Sequence, residues 1–220
     1  MKPVYIEAID LNDFWFQCVY NILDKNLSRV YQIEQGSFVG ENRIEFDFIT
    51  GLIKNPYNVD WNQMLPQIPS HLNIPAPVTY DYLCQYVPYV MTSHKQEHEF
   101  YTYGSRIEPQ LPFIIGLLQK TPRTNQAVIQ VASPQDHLLD DPPCLRTIGF
   151  KVIDTTLHMH VDFRSWDLWS GTPANLAALA IFQNYVADAT GLKNGSMICT
   201  SKGLHLYKYC HELARLRTGK

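Results

Sequence analysis

The sequence predicts an α+β fold, and three observations predict it. Runs with helical spacing and runs with strand alternation are interleaved along the chain without a clean βαβ repeat. The stretch "NPYNVDWNQMLPQIPSHLNIPAPVT" is rich in Pro and Asn and reads as irregular. The 220 residues are 45% hydrophobic, enough for one ordinary core, so residues 1–220 are expected to form a single domain.

Taken in order, "DFWFQCVYNILDKN" (13–26) reads as a helix, with Asp13 as its N-cap and apolar residues at helical spacing. "SRVYQIEQGS" follows. In "RIEFDFIT" Ile44, Phe46 and Phe48 alternate with Glu45 and Asp47, the pattern of a half-buried strand. Residues 80–92 read as a helix that Pro88 kinks or ends. "LPFIIGLLQK" (111–120) is a second apolar helix, stopped near Pro122, and "QAVIQVAS" is a short strand. "LRTIGFKVIDTTLHMHVDFRS" predicts two strands joined near Asp154–Thr156, with Leu157, Met159, Val161 and Phe163 on one face. Pro173 suits the first turn of a helix capped by Ser170 or Thr172 and closed at Gly191. "GSMICTS" reads as a strand and "LHLYKYCHELARLR" as a closing helix. No internal repeat or low-complexity segment is visible.

The net charge is −3 and the pI about 6.2, so overall charge does not argue for a nucleic-acid partner, and no DNA partner is expected. No apolar stretch is long enough to span a bilayer, and "MKPVYIEAIDLND" lacks a signal-peptide layout; a soluble, cytoplasmic protein without a membrane partner is expected. The five cysteines, Cys18, Cys84, Cys144, Cys199 and Cys210, are odd in number and scattered, which favours reduced thiols. None forms a CxxC pair, which argues against a structural zinc site.

Three segments carry candidate chemistry. Cys144, in "DDPPCLRTIGF", is either a packing residue or a nucleophile whose thiolate needs nearby cations such as Arg146 or Arg164; taken alone, packing is the stronger reading. In "RSWDLWSGTPANLAALA", Arg164 with Ser165 can hold a phosphate, and Asn175 carries the donor and acceptor that read a base edge. An ordinary strand-to-helix connection fits equally well. In "KGLHLYKYCHE", His205 and Tyr207 share a face if the segment is extended and can then hold a sugar hydroxyl, although such a pair is more often structural. The remaining histidines, including His158, His160 and the His94/His98 pair, lack an HExxH layout, and no metal site is expected.

In order and spacing these segments resemble the C-terminal half of thymidylate synthases and the related pyrimidine nucleotide hydroxymethylases, most of all the compact archaeal thymidylate synthases. The family pattern is a proline-preceded cysteine, then Arg-Ser-x-Asp-(x)3-Gly-x-Pro-x-Asn, then His-x-Tyr. Here these are Cys144, then Arg164, Ser165, Asp167, Gly171, Pro173 and Asn175, then His205 and Tyr207. "YGSR" (103–106), "FIIGLLQKTP" and "VASPQD" extend the match, which covers roughly residues 101–212.

The resemblance implies a mixed β-sheet flanked by helices and reductive methylation of dUMP. Cys144 would add to C6 of the pyrimidine, and 5,10-methylenetetrahydrofolate or 5,10-methylenetetrahydromethanopterin would supply the carbon, with no metal. Arg164 and Ser165 would contact phosphate, Asp167 would order the base and nearby backbone, and Asn175 would pair with the base. His205 and Tyr207 would hold the ribose 3′-hydroxyl, and Tyr103 would assist proton loss at C5. Asn175 favours dUMP over dCMP, since family members acting on cytosine carry Asp there. A homodimer is implied as well. The alternatives are a hydroxymethylase of the same fold and a non-catalytic nucleotide- or RNA-binding relative.

The chain departs from the family in several places. Leu145 stands where the family has His, and Phe163 where it has Gln. Asn125 and Gln126 stand at the paired arginines, with Arg123 as a substitute. Arg29 is the candidate for the N-terminal phosphate arginine. No Glu lies in 80–92, which leaves Glu97, Glu99 or a different group for the role of the family's catalytic Glu. The small-subdomain insert is reduced, and the long closing tail is missing.

Overall fold

A computed structural model describes residues 1–36, 38–97 and 99–220. Ten strands and six helices are described. β1 (Pro3–Ala8) is followed by α1 (Leu11–Ile22), β2 (Ser28–Gln32), β3 (Asn42–Phe46) and β4 (Phe48–Ile53). After the Pro/Asn-rich stretch, which holds only two short 3-10 turns, come α2 (Tyr80–Met91), α3 (Tyr103–Ile107), α4 (Leu111–Lys120) and β5 (Val128–Gln130). β6 (Leu145–Ile153), β7 (Thr156–Phe163), β8 (Trp166–Asp167), α5 (Gly171–Thr190), β9 (Lys193–Ser201), β10 (Leu204–Tyr207) and α6 (His211–Thr218) complete the fold.

The strands form two mixed sheets: six strands in the order β1-β4-β9-β7-β6-β5, and four in the order β2-β3-β10-β8. The α+β expectation holds, with two sheets in place of one. The hairpin reading of β6 and β7 also holds. Ile153 pairs with Thr156, Asp154 takes the left-handed region (φ 54°) that Asp tolerates, and Leu157, Met159, Val161 and Phe163 are buried. α5 lies against β7 and β9 and is buried on nearly every face from Thr172 to Gln183, with Tyr185 and Asp188 reaching the surface near its end. Its one deeply buried amide, Gln183, donates to the carbonyls of Leu157, Gly195 and Ser196 and so ties the helix to both strands.

Trp15 of α1 links this core to the site. It is 1% exposed, and its indole N–H lies 3.2 Å from the carbonyls of both Leu168 and Trp169, in the link between β8 and α5.

Four local expectations need correction. α1 starts at Leu11 and its cap is Asp10, not Asp13; extended Asp10 accepts the Asp13 N–H at 2.9 Å, while Asp13 accepts from Ile9 N–H. "RIEFDFIT" is not one strand. The chain changes sheets at Asp47, which Arg29 (2.8 Å) and the Lys2 N–H (2.8 Å) pin, and Glu45 is buried where the alternation placed it outside. α2 runs three residues past Pro88, so Pro88 does not end it; Pro88 and Cys84, whose carbonyl loses its helical partner, both lie on the exposed face, where water can take that carbonyl. Leu204–Tyr207 is a strand, and the closing helix begins only at His211.

Candidate active site

The site forms where β6, β8, α5 and β10 converge. The Asp140–Pro143 loop delivers Cys144 to the start of β6. The Cys144 carbonyl accepts the Arg164 N–H at 2.8 Å, which holds the cysteine and the arginine side by side. Two arginines brace the loop. Arg164 donates to the carbonyls of Pro142 and Pro143 and to the exposed Asp141 carboxylate (3.3 Å). Arg146 donates to the Pro143 carbonyl (3.1 Å) and to Asp136 (3.3 Å). Asp136 also takes Arg106 (3.0 Å), whose hydrogen bond is the main cause of its lowered pKa. The "VASPQD" and "YGSR" segments are thereby tied to the cysteine loop.

Cys144 is half-buried. Burial pushes its thiol above the ordinary value and Asp141 adds to that, while Arg164 and Arg146 pull it down without prevailing. Tyr103 stands beside it at the start of α3, where its hydroxyl oxygen accepts the Leu145 N–H at 3.3 Å. Burial, then the Cys144 sulfur, hold the phenol well above its usual range, so Tyr103 is a neutral donor. It can hold a water for a proton transfer but is no base in its own right.

The opposite wall is the link from β8 to α5. The Asp167 carboxylate takes four donors: the N–H groups of Trp169, Ser170 and Gly171 and the Ser170 hydroxyl. Asp167 is thus the cap of α5; Ser170 makes no side-chain cap, and Thr172 lies inside the helix. Gly171 fits closely there: a Cβ would come within 3.1 Å of Asp167 Cβ and press on the cap. Asn175, one turn into α5, accepts from the Trp166 indole N–H at 2.9 Å and donates to the Tyr86 hydroxyl. Ser165 is half-buried, and its hydroxyl has no partner among the described residues.

β10 pairs with β8, placing His205 opposite Asp167, and with β3, placing His205 opposite Glu45 and Tyr207 opposite Arg43. His205 is 3% exposed. Its Nδ1 lies 2.9 Å from the Gly203 carbonyl, which can only accept, so Nδ1 carries the proton. Nε2 is then a buried acceptor without a partner among the described residues. Burial holds the imidazole below its usual pKa and the nearby Arg43 lowers it further, so His205 is neutral. Tyr207 meets the His205 ring edge-on at 4.6 Å.

Beside this wall opens a cavity of about 490 Å³, lined by Tyr82, Tyr86, Asp167, Ser170, Gly171 and Asn175 among others. A neighbouring cavity of about 380 Å³ is lined by Tyr82, Tyr86, Tyr89 and Glu99. Tyr82, Tyr86 and Tyr89 stack in series along α2.

The structure thus gathers Cys144, Arg164, Tyr103, Asp167, Asn175, His205 and Tyr207. Glu99 reaches the outer cavity, whereas Glu97 is exposed. Arg29 does not join them: bound to Asp47, it lines a separate cavity of about 690 Å³ with Lys25, Lys208, His211, Arg215 and Lys220. Arg123 is exposed after α4, and Asn125 holds Lys151 at 2.8 Å. His158 bonds Ser196 and His160 faces Thr200 on the large sheet; His98 lies outside the described residues. No group of three or more His, Cys, Asp or Glu among the described residues is placed to hold a metal, and no described helix is long and apolar enough to cross a membrane. Sequence reasoning missed Arg43, Glu45, Trp166 and Tyr86. The charged pair flanking Ile44 was the one available signal for the first two.

The profile of the family described as "Thymidylate synthase" matches residues 81–218. The chain belongs to the thymidylate synthase family. It is 26% identical to the "Putative thymidylate synthase" of Methanosarcina barkeri over 93% of this chain and 89% of that one. The relative of the same description in Methanococcoides burtonii is 28% identical over the same shares. The thymidylate synthase of Buchnera aphidicola is 30% identical over 52% of this chain and 44% of its own. Proteins of this family are transferases of nucleotide biosynthesis that act on dUMP with a folate-type one-carbon donor.

Proposed function

We propose that this chain, folded as one domain over residues 1–220, is a methyltransferase that converts dUMP to dTMP. The observation that supports it best is that the Arg164–Asn175 segment is hydrogen-bonded to Cys144 through Arg164 and paired with the His205 strand through β8, while Trp166 holds Asn175. A nucleophile, a phosphate ligand, a base-edge amide and a sugar-directed imidazole then face one ligand.

In this reading Arg164 and Ser165 take the phosphate, and Arg164 gives up Asp141 and the loop carbonyls to do so. Arg29 and Arg123 are further phosphate candidates only if the loops or a partner subunit bring them in. The ribose 3′-hydroxyl donates to His205 Nε2, and Tyr207 completes that contact. Cys144, once deprotonated, bonds to C6 while the C5=C6 π pair moves toward C5 and O4, where Asn175 donates a hydrogen bond. C5 would thereby become the nucleophile that bonds to the one-carbon unit; a water held by Tyr103 would then take the C5 proton, and, with hydride delivered to the new carbon, loss of the Cys144 thiolate from C6 would restore the C5=C6 bond.

The donor set fits a reduced pterin. Tyr82 and Tyr86 offer faces to a planar heterocycle, Asp167 and Ser170 offer polar atoms, and Gly171 leaves room between them. Bound there, 5,10-methylenetetrahydrofolate or 5,10-methylenetetrahydromethanopterin supplies the one-carbon unit and the hydride. The large-sheet face that carries Tyr5, Val128 and Ile198 is exposed, and a symmetric homodimer would bury it.

Incubation with dUMP or dCMP and each pterin, followed by product mass, tests the reading. dTMP from dUMP supports it. A hydroxymethyl product would instead point to the hydroxymethylase alternative, and bound nucleotide that is never converted to the non-catalytic one.

A further inference from the structure

Trp166 fills the unspecified position of the Arg-Ser-x-Asp motif and Tyr86 lies outside every motif above, yet both touch Asn175. An indole N–H donates and cannot accept. At 2.9 Å from Asn175 Oδ1, it obliges the amide oxygen to face Trp166 and the NH2 group to face away. The indole itself has no freedom to turn: it is 2% exposed and stacked on Phe163, with ring centroids 4.2 Å apart and planes 5° from parallel. The freed NH2 group donates to Tyr86 Oη. Having accepted that bond, Tyr86 keeps its own proton for another acceptor, and none is present among the described residues. Burial, the largest cause, pushes the phenol well above its ordinary value, so it stays a donor across the working range. Asn175 and Tyr86 line the same cavity.

We propose that Trp166 is a positioning residue that locks the Asn175 amide NH2-outward, and that Tyr86 adds a second donor beside it, so that the site accepts a 4-oxo pyrimidine and rejects a 4-amino one. This rests on the nucleotide reading given above. An unlocked Asn amide presents either its oxygen or its NH2, and therefore reads O4 of uracil and the amino group of cytosine alike. Locked, it sets two donors against the cytosine amino group and leaves that group without an acceptor. Phe163 and Trp166 then act as one unit: the phenyl ring fixes the indole, and the indole fixes the amide.

Calorimetric titration of the full chain with dUMP and with dCMP tests the lock without requiring turnover. The wild-type chain is expected to prefer dUMP, and Trp166→Phe to narrow that preference by about tenfold or more, with dCMP binding gained. Tyr86→Phe is expected to narrow it severalfold, through weaker dUMP binding. A preference that survives both substitutions overturns the lock, as does equal weakening of both nucleotides, the mark of a merely structural role. A wild-type chain that binds neither nucleotide overturns the nucleotide reading and the lock with it. Should Trp166→Phe not fold, ¹⁵N spectra of the wild-type chain decide. The Trp166 indole proton is expected to exchange slowly and stay in place on dUMP addition, while the Asn175 NH2 signals shift. An indole proton that exchanges like a solvent-exposed one overturns the lock.

Discussion

The two walls of the site are held in opposite ways. On the wall built by β8 and α5, Asp167 caps α5 with four hydrogen bonds, Trp166 holds Asn175, and β8 is paired with β10. The Asp167 cap, the Trp166 bond and the strand pairing can all persist when a ligand arrives. On the sulfur wall, Arg164 spends its donors on the carbonyls of Pro142 and Pro143 and on Asp141. In the proposed reading, a phosphate would displace them. In that same reading, the preorganised first wall favours discrimination, and the exchangeable second wall would couple phosphate binding to the loop that carries Cys144.

Substitutions can break or sharpen this contrast. The largest effect is expected at Trp15, whose indole anchors the carbonyls of Leu168 and Trp169 behind the rigid wall. Trp15→Ala should cost about 3–5 kcal/mol in urea unfolding. Asp136→Asn removes the brace shared by Arg106 and Arg146 and should cost about 2 kcal/mol, because both arginines keep contact with water. Asp136 has a lowered pKa, so its contribution is present above the ordinary carboxylate range and is lost as pH falls below it. Unfolding curves recorded down a pH series should show that loss in the wild-type chain and not in Asp136→Asn. Asp167→Ala leaves the first turn of α5 uncapped, at about 1–2 kcal/mol, and should loosen discrimination between nucleotides more than it weakens binding.

The smallest effect is expected on the exchangeable wall. Asp141 raises the Cys144 pKa and occupies Arg164. Asp141→Asn should therefore speed alkylation of the Cys144 peptide severalfold at neutral pH, as read by mass spectrometry. In the wild-type chain that rate should still be rising beyond the ordinary thiol range, because burial holds the thiol protonated.

Much of the site was legible as residue types at fixed spacing: Cys144, then Arg164 to Asn175, then His205 and Tyr207. Strand alternation around Leu157–Phe163 was equally legible, because a sheet buried on one face writes a period of two into the sequence. Other features had no local signature. Alternation runs unbroken through Asp47, so nothing in "RIEFDFIT" reports that the chain changes sheets there. Asp10 and Asp13 are both acceptable caps, and only the backbone angle of Asp10 separates them. The Tyr86–Asn175 bond spans 89 residues, and Trp166 stands at the unspecified position of Arg-Ser-x-Asp. Arg29 is the reverse case: nothing in its local sequence reports that Asp47 holds it beside a different cavity.

The most direct test of the account is tritium release from [5-³H]dUMP in the presence of each pterin, with the wild-type chain and Cys144→Ala compared side by side. Release by the wild-type chain, lost in Cys144→Ala while dUMP binding persists, is the predicted result. No release with either pterin, or release that survives Cys144→Ala, would contradict the assignment of Cys144 as the nucleophile.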